Sequence, residues 1–434
     1  MQRMAAADAA SYWMSERIPN DQLLLYCFAA LSVSLDECAR RLVARARRVD
    51  DLCLRVHDIP ATADRPYWVS VEPTPDQVRV DTTPRTWSSL LDTVGDLVAD
   101  PLVPSRAAWR LHLFGPVTDL PAGCGESVTG VVVVLQISHA LGDGRRASQI
   151  ARDLFTAPYD NRRGGGFGMP GPVRDVGTLA LGVLRFPGEF VSTVRHGVQV
   201  ARIGKPANPG KPGYPLTTLN RSPGSRRLLR VIVLDRERLT AAGSPVTVAV
   251  LVAISQALPR YLGDECRRLG VELTVGRSDK SEARNNFRNV GIDLHLEVDD
   301  PRERARLVRA EIDAARAADA EPARVAQRRV SEVTPAILTR WGIRAFDLDT
   351  RPETVTGVTV VSSVDRGAAD FDLDGGEILF TTGFPALSPV QGLTHGVHGI
   401  GDRVAVSVTT SPDVMPDVDR YVELLRAGFD TTRR

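Results

Sequence analysis

A histidine, an aspartate and two glycines stand together in the first third of the chain, as His139-Ala140-Leu141-Gly142-Asp143-Gly144. A neutral imidazole can take the proton from a bound hydroxyl or amine, which then attacks an activated acyl group. That step needs no acyl group covalently held by the protein. Asp143 reads as an anion that pairs with an arginine and caps a helix, fixing the loop that aims His139. Gly144 lets the backbone pass close to its neighbours. The bland alternative is a strand-end histidine that only packs, with a capped helix after it. Ser138, His139 and Asp143 do not read as a nucleophilic triad, because adjacent strand residues face opposite sides.

The flanking residues say how such a group is delivered. Residues 131–137 form an apolar, largely β-branched run suited to a buried strand, and Gly142 and Gly144 break it. Beyond them Ala147, Ile150, Ala151, Leu154 and Phe155 recur at helical spacing, with Asp143 placed to cap the helix. Upstream, strands are expected at 21–28, 67–71 and 109–114, and helices at 35–49 and 87–100. His112 alternates with apolar neighbours and reads as a packed strand residue rather than a second catalytic group.

Composition changes over residues 160–224. The glycines of 162–168 are too dense for a regular element and lack the Gly-Lys-Ser/Thr of a phosphate loop, so a linker is expected. Residues 176–200 carry Leu179, Val183, Phe186, Phe190 and Val194 at helical spacing, interrupted by Pro187 and ringed by Arg185, Arg195, His196 and Arg202. Two readings stand: a lid or lipid-surface helix, or a crossover helix packed on a second domain. Residues 205–215 read as a connector. In the second half, strands are expected at 226–234, 273–275, 290–296, 355–364, 377–382 and 404–409. Helices are expected at 246–262, 301–329 (one or a pair) and 417–429. His395 and His398 lie in what reads as a glycine-rich hairpin with no third ligand nearby, which gives a metal site little support.

The 434 residues suffice for two cores, and 43% hydrophobic with 25% charged residues describes a globular chain. A net charge of +1 argues against a nucleic-acid partner held by a basic field. Five scattered cysteines (Cys27, Cys38, Cys53, Cys124, Cys266) suggest neither a zinc site nor a disulfide framework. With no signal peptide or membrane-spanning stretch expected, the cytoplasm is the expected location.

The His139 segment resembles the His-His-x-x-x-Asp-Gly stretch of the wax ester synthase/diacylglycerol acyltransferase family, within the chloramphenicol-acetyltransferase-like and condensation-domain superfamily. The resemblance extends over most of the chain. It includes Pro66-Tyr67-Trp68-Val69, Pro101-Leu102 with residues 107–113, residues 257–262, Asn285-Asn286-Phe287 with Asp299-Asp300-Pro301, and residues 411–419. It departs at three places. Ser138 replaces the first histidine of the pair, Thr247-Val248 replaces Asn-Asp, and Ser363 stands where an asparagine follows serine.

The resemblance implies an α/β fold of two lobes of mixed sheet flanked by helices, with the active site between them. The expected divisions are an N-terminal lobe at 1–160, a linker with an amphipathic helix at 161–224, and a C-terminal lobe at 225–434. The implied reaction joins a long-chain acyl-CoA to an alcohol, giving an ester of the wax ester or triacylglycerol type. His139 is then the general base and Asp143 orients its loop. Ser138, Gly144 and Asn286 are the expected substrate-binding residues, the Asn286 amide meeting a carbonyl; for Asn286 a plain tight turn is an equal reading. The resemblance calls for no metal or cofactor beyond the acyl thioester substrate, and it admits contact with the inner membrane or lipid bodies. Two other readings stay open: an enzyme taking its acyl group from a carrier protein for a glycolipid or natural product, and a non-catalytic lipid- or acyl-CoA-binding member.

Overall fold

A computed structural model describes residues 1–123, 126–158, 172–204, 212–241, 243–263, 268–277 and 281–431. The glycine-rich stretch 162–168, most of the connector at 205–215, Cys124 and Cys266 lie outside the described residues.

The first half forms α1 (Ala6–Ser15), β1 (Gln22–Phe28), α2 (Leu35–Ala46), β2 (Val78–Asp81), α3 (Trp87–Asp96), β3 (Trp109–Gly123), β4 (Glu126–Ile137) and α4 (Gly144–Thr156). Next come α5 (Pro172–Ile203), β5 (Leu228–Asp235), α6 (Val246–Leu262), β6 (Gly270–Gly276), β7 (Phe287–Asp293), α7 (Pro301–Ala318), α8 (Pro322–Val333) and α9 (Ala336–Ala345). The last part adds β8 (Thr359–Asp365), β9 (Asp372–Leu373), β10 (Gly376–Phe384), β11 (Thr394–Ile400), β12 (Arg403–Thr410) and α10 (Val418–Thr431).

Two mixed sheets result, as the two-lobed reading requires. The first runs β9-β10-β1-β4-β3-β2, with β2 parallel to β3 and the other pairs antiparallel. The second runs β5-β12-β11-β8-β6-β7, with β11, β8 and β6 mutually parallel. The division of the chain at residue 225 does not divide the sheets: β9 and β10 return from the C-terminal segment and extend the N-terminal sheet beside β1.

The valine run of β4 is apolar throughout because both of its faces are covered. Val133, Leu135 and Ile137 enter one core with Leu24, Tyr26, Leu154 and Phe155. Val132 and Val134 enter another with Leu90, Leu91, Leu229, Phe380 and Ala405, which joins the lobes. Successive strand side chains point to opposite faces, so a strand in the middle of a sandwich needs no polar alternation. The predicted inner stripe of α4 is buried in full. Around α6, Val248–Leu258 are buried except Gln256, a helix surrounded rather than laid on a surface.

Residues 394–400 are a buried central strand that pairs antiparallel with β12 across Gly401-Asp402, the hairpin that the glycines suggested. The 301–329 segment is a pair of helices, and a third, α9, follows that no strong pattern announces. Helix α5 continues through Pro187. It packs on α8, and Arg185 pairs with Asp64 at 2.9 Å while Thr193 Oγ1 donates to the Val333 carbonyl, so it joins both halves as a crossover helix does. Its outer side leaves Leu184, Val191 and Val194 exposed. Among the described residues no helix is long and apolar enough to cross a membrane.

Candidate active site

β4 delivers the chain to a single 3-10 turn, His139–Leu141, and α4 departs from Gly144. His139 lines a cleft of about 340 Å³ between the lobes, whose walls include Gln22, Asp143, Gly144, Phe287, Ser363 and His398. Asp143 caps α4, its Oδ1 accepting from the Arg145 and Arg146 amides at 3.1 and 3.0 Å. Among the described residues no arginine side chain pairs with it. Asp143 Oδ2 instead accepts the Asn286 amide at 3.0 Å, and the Asp143 amide donates to the Arg284 carbonyl at 3.1 Å. The turn is therefore stitched to the loop before β7 from both sides.

That loop also decides the state of the imidazole. Asn285, 5% exposed, donates through Nδ2 to Asp8 Oδ1 at 3.1 Å and to the His139 carbonyl at 2.5 Å. Both partners are acceptors, so the Asn285 carbonyl oxygen is the atom turned to His139 Nδ1, at 3.4 Å. An amide oxygen only accepts. His139 must carry its proton on Nδ1, and Nε2 keeps the lone pair. Burial moves the His139 pKa below 6.5, with Asn285 and Asp143 pulling weakly the other way, so the ring is neutral at pH 7. A neutral imidazole with a fixed tautomer is what a general base requires.

Asp8 holds the loop itself. It is 1% exposed, and besides Asn285 Nδ2 it accepts the Arg284 and Asn285 amides at 3.0 and 2.9 Å. Burial raises its carboxyl above the usual range and these bonds draw it back. Asp51 adds a second tie by binding both Arg146 of α4 and Arg284. Asp8 and Asn285 were not among the residues expected from sequence. Asp8 lies 277 positions from its partner with no motif around it, whereas Asn285 stood in the recognised Asn-Asn pair, one place from the residue chosen.

The other expected residues are placed as follows. Ser138 is fully buried, its Oγ accepting the Ala140 amide, and it does not border the cleft. Asn286 contributes its backbone to Asp143, and the cleft is bordered by Phe287 and Asn289 instead. Gly144 borders the cleft, where an added Cβ would come within 3.2 Å of Val364 Cγ2. Thr247 and Ser363, two positions at which the family pattern is broken, meet each other, with their hydroxyls 2.8 Å apart. His112 Nε2 donates to Gln136 Oε1 at 3.1 Å, and burial pushes its pKa to about 4, as befits a packed residue. His395 and His398 are three apart on β11 and so face opposite ways. His395 lies between the Thr359 and Tyr421 hydroxyls in the core, and His398 borders the cleft.

A second cavity of about 590 Å³ shares Arg145, Thr274, Gly276, Ser363 and Val364 with the cleft. Arg145, Arg277, Arg288, Arg309 and Arg316 line it, against Asp313, Asp319 and Asp365. All three acids are engaged: Asp365 by Arg236 at 3.1 Å, Asp319 by both Arg288 and Arg328, and Asp313 by Arg309 and Arg316 at 3.9 and 3.6 Å. Burial lowers the Arg288 pKa, and nearby guanidiniums, Arg277 among them, lower it further against the pull of Asp319. The cavity is a cationic vestibule opening on the site of His139.

Residues 284–432 match the family model of the WS/DGAT C-terminal domain. The match covers the C-terminal part of the chain. The wax ester synthase/diacylglycerol acyltransferase from Marinobacter aquaeolei VT8 superposes with a TM-score of 0.63 at 14% identity, over 99% of this chain and 98% of that one. The trichothecene 15-O-acetyltransferase TRI3 from Fusarium sporotrichioides gives 0.59 at 11% identity, over 100% and 95%. A starter condensation domain of rhizomide synthetase, in complex with C8-CoA and Leu-SNAC, gives 0.55 at 12%, over 100% and 93%. These likenesses establish the fold. A search of curated proteins finds no match. The match to the WS/DGAT model and the two-lobed fold together mark the chain as an acyltransferase, in line with the resemblance read from the sequence.

Proposed function

We propose that the chain transfers a long-chain acyl group from an acyl-CoA thioester to a hydroxyl acceptor, forming an ester, with His139 as general base. The observation that carries this reading is the fixed tautomer of His139 in the cleft between the lobes. Nε2 takes the proton from the acceptor hydroxyl as its oxygen attacks the thioester carbonyl. The tetrahedral adduct then collapses, the carbon–sulfur bond breaks, and the proton passes to the departing thiolate, so ester and free thiol leave and His139 is neutral again. Asn285 holds Nδ1 throughout, and the protonated ring gains from its acceptor oxygen and from the nearby Asp143 charge.

The cationic vestibule supports a CoA donor. Its arginines suit the phosphates of a nucleotide thioester, and its shared wall with the cleft leads the acyl end toward His139. The test is release of free CoA from palmitoyl-CoA with long-chain alcohols and diacylglycerol, wild type beside His139→Ala. Acceptor-dependent release that falls about 10²- to 10⁴-fold in the variant is expected. Equal release by the two proteins would exclude His139 as the base. Silence with every acceptor in a protein that still binds acyl-CoA would favour the binding-only reading.

A further inference from the structure

Arg366 follows β8 on the wall of the cleft and is 7% exposed. Its Nη1 donates to Thr381 Oγ1, its guanidinium carbon lies 4.9 Å from the centre of the Tyr26 ring, and its Nε is buried without a partner. Among the described residues no carboxylate pairs with it. Asp365, next in sequence, is held by Arg236, and Asp370 by Arg152 at 2.6 Å. The nearest charged neighbour in the hydrogen-bond network is another cation, Arg152, which donates to the Arg366 carbonyl at 3.1 Å.

A guanidinium does not escape burial by losing its proton. A buried charge without a counter-charge is costly, and folded chains rarely keep one without a use for it. Two other orphaned polar atoms border the same cleft. His398 is 6% exposed with Nδ1 unpartnered, and burial beside Arg366 keeps its ring neutral. Gln391, also 6% exposed, spends its Nε2 on the Gly357 carbonyl and leaves Oε1 unpartnered. Arg366 thus offers a single positive fork, with a neutral imidazole on the same wall, inside the cavity that holds His139.

We propose that Arg366 binds a carboxylate on the acyl acceptor, so that the preferred acceptor is a hydroxy acid rather than a neutral alcohol or glyceride. The single fork matches the two oxygens and one charge of a carboxylate; a phosphate dianion would leave charge uncompensated. His398 completes the subsite by donating from Nδ1 when its proton sits there. That the bound acid is an acceptor rests on the acyl-transfer reading; that the cleft binds a carboxylate does not.

The full chain is titrated calorimetrically, without donor, with a series of ω-hydroxy fatty acids of increasing length, each beside its methyl ester. The same series is run on Arg366→Gln, Arg366→Lys and Arg366→Met. Wild type is expected to prefer the acid at least about tenfold over its ester, the worth of one charge-assisted pair. The preference vanishes in the Gln and Met variants and partly survives in Lys. Met, of similar length and uncharged, is expected to melt higher than unliganded wild type, which guards against a folding failure. Equal affinity of acid and ester for wild type, or an unaltered preference in Arg366→Gln, overturns the proposal. With palmitoyl-CoA added, acid-stimulated CoA release identifies the acid as acceptor. Arg366-dependent binding without release in any mixture leaves the carboxylate site standing and defeats the acyl-transfer reading.

Discussion

Replacing Asp8 with asparagine tests the claim that a residue of the first helix sets the state of the catalytic ring. Asp8 Oδ1 accepts two N–H groups of Asn285 and Oδ2 accepts the Arg284 amide. Asparagine can keep one oxygen where Oδ1 stood, but its amide then meets the Arg284 N–H donor to donor. One buried backbone N–H is left unpaired, at about 1–3 kcal/mol of stability. The freed loop lets Asn285 drift from His139, and a displacement near 1 Å is worth on the order of 100-fold in rate. We expect Asp8→Asn to fold, to keep its KM for palmitoyl-CoA, and to lose about 10- to 100-fold in kcat. A second readout separates positioning from general weakening. The Asn285 contact raises the His139 pKa, so its loss moves the acid limb of the kcat profile to lower pH. A folded Asp8→Asn whose kcat and acid limb both match wild type would refute the relay from Asp8 through Asn285 to His139.

In the wild type, burial has already placed the His139 pKa below 6.5, so kcat should stay on its plateau through pH 6.5 and fall only in more acidic buffer; a limb centred above 6.5 would point to another base. Stability should decline sooner. His112 and His395 titrate near 6.5 when unfolded but at about 4 and about 3 when folded, so the unfolded chain binds more protons and stability is lost as pH falls below 6.5. By pH 5 the loss is roughly 2 kcal/mol for each, measurable as a lower urea midpoint than at pH 7, and His112→Gln should flatten that dependence. Ser138→His, which restores the histidine pair of the resembled family, places an imidazole at a site with no exposure. It should cost about 1–3 kcal/mol by overpacking without raising kcat, and a stable, faster variant would show that the site is reachable from the cleft.

The parts that sequence reveals and the parts it hides differ by how far apart the interacting residues lie. Residues 131–155 were legible because a buried strand and an amphipathic helix write their periods locally, and the capping aspartate sits between them. β11 does form a hairpin with β12, but the glycines inside it have a distant cause. A Cβ at Gly396 would lie 2.5 Å from the Gly383 carbonyl and one at Gly399 2.5 Å from Arg236 Nη2. They are glycines because a crowded central strand has no room there. The same holds for the chemistry. His139 announces itself, but its tautomer is settled by Asn285, whose orientation is settled by Asp8, and neither link leaves a pattern within one element. The side chain that faces the ring belongs to Asn285, while the Asn286 amide ties the same loop to Asp143. The departures at Thr247 and Ser363 read as two separate losses along the chain, and they are one hydrogen-bonded pair on the wall between vestibule and cleft. A change of substrate at that wall would therefore call for both positions together, and a single substitution at either would leave the other hydroxyl without its partner.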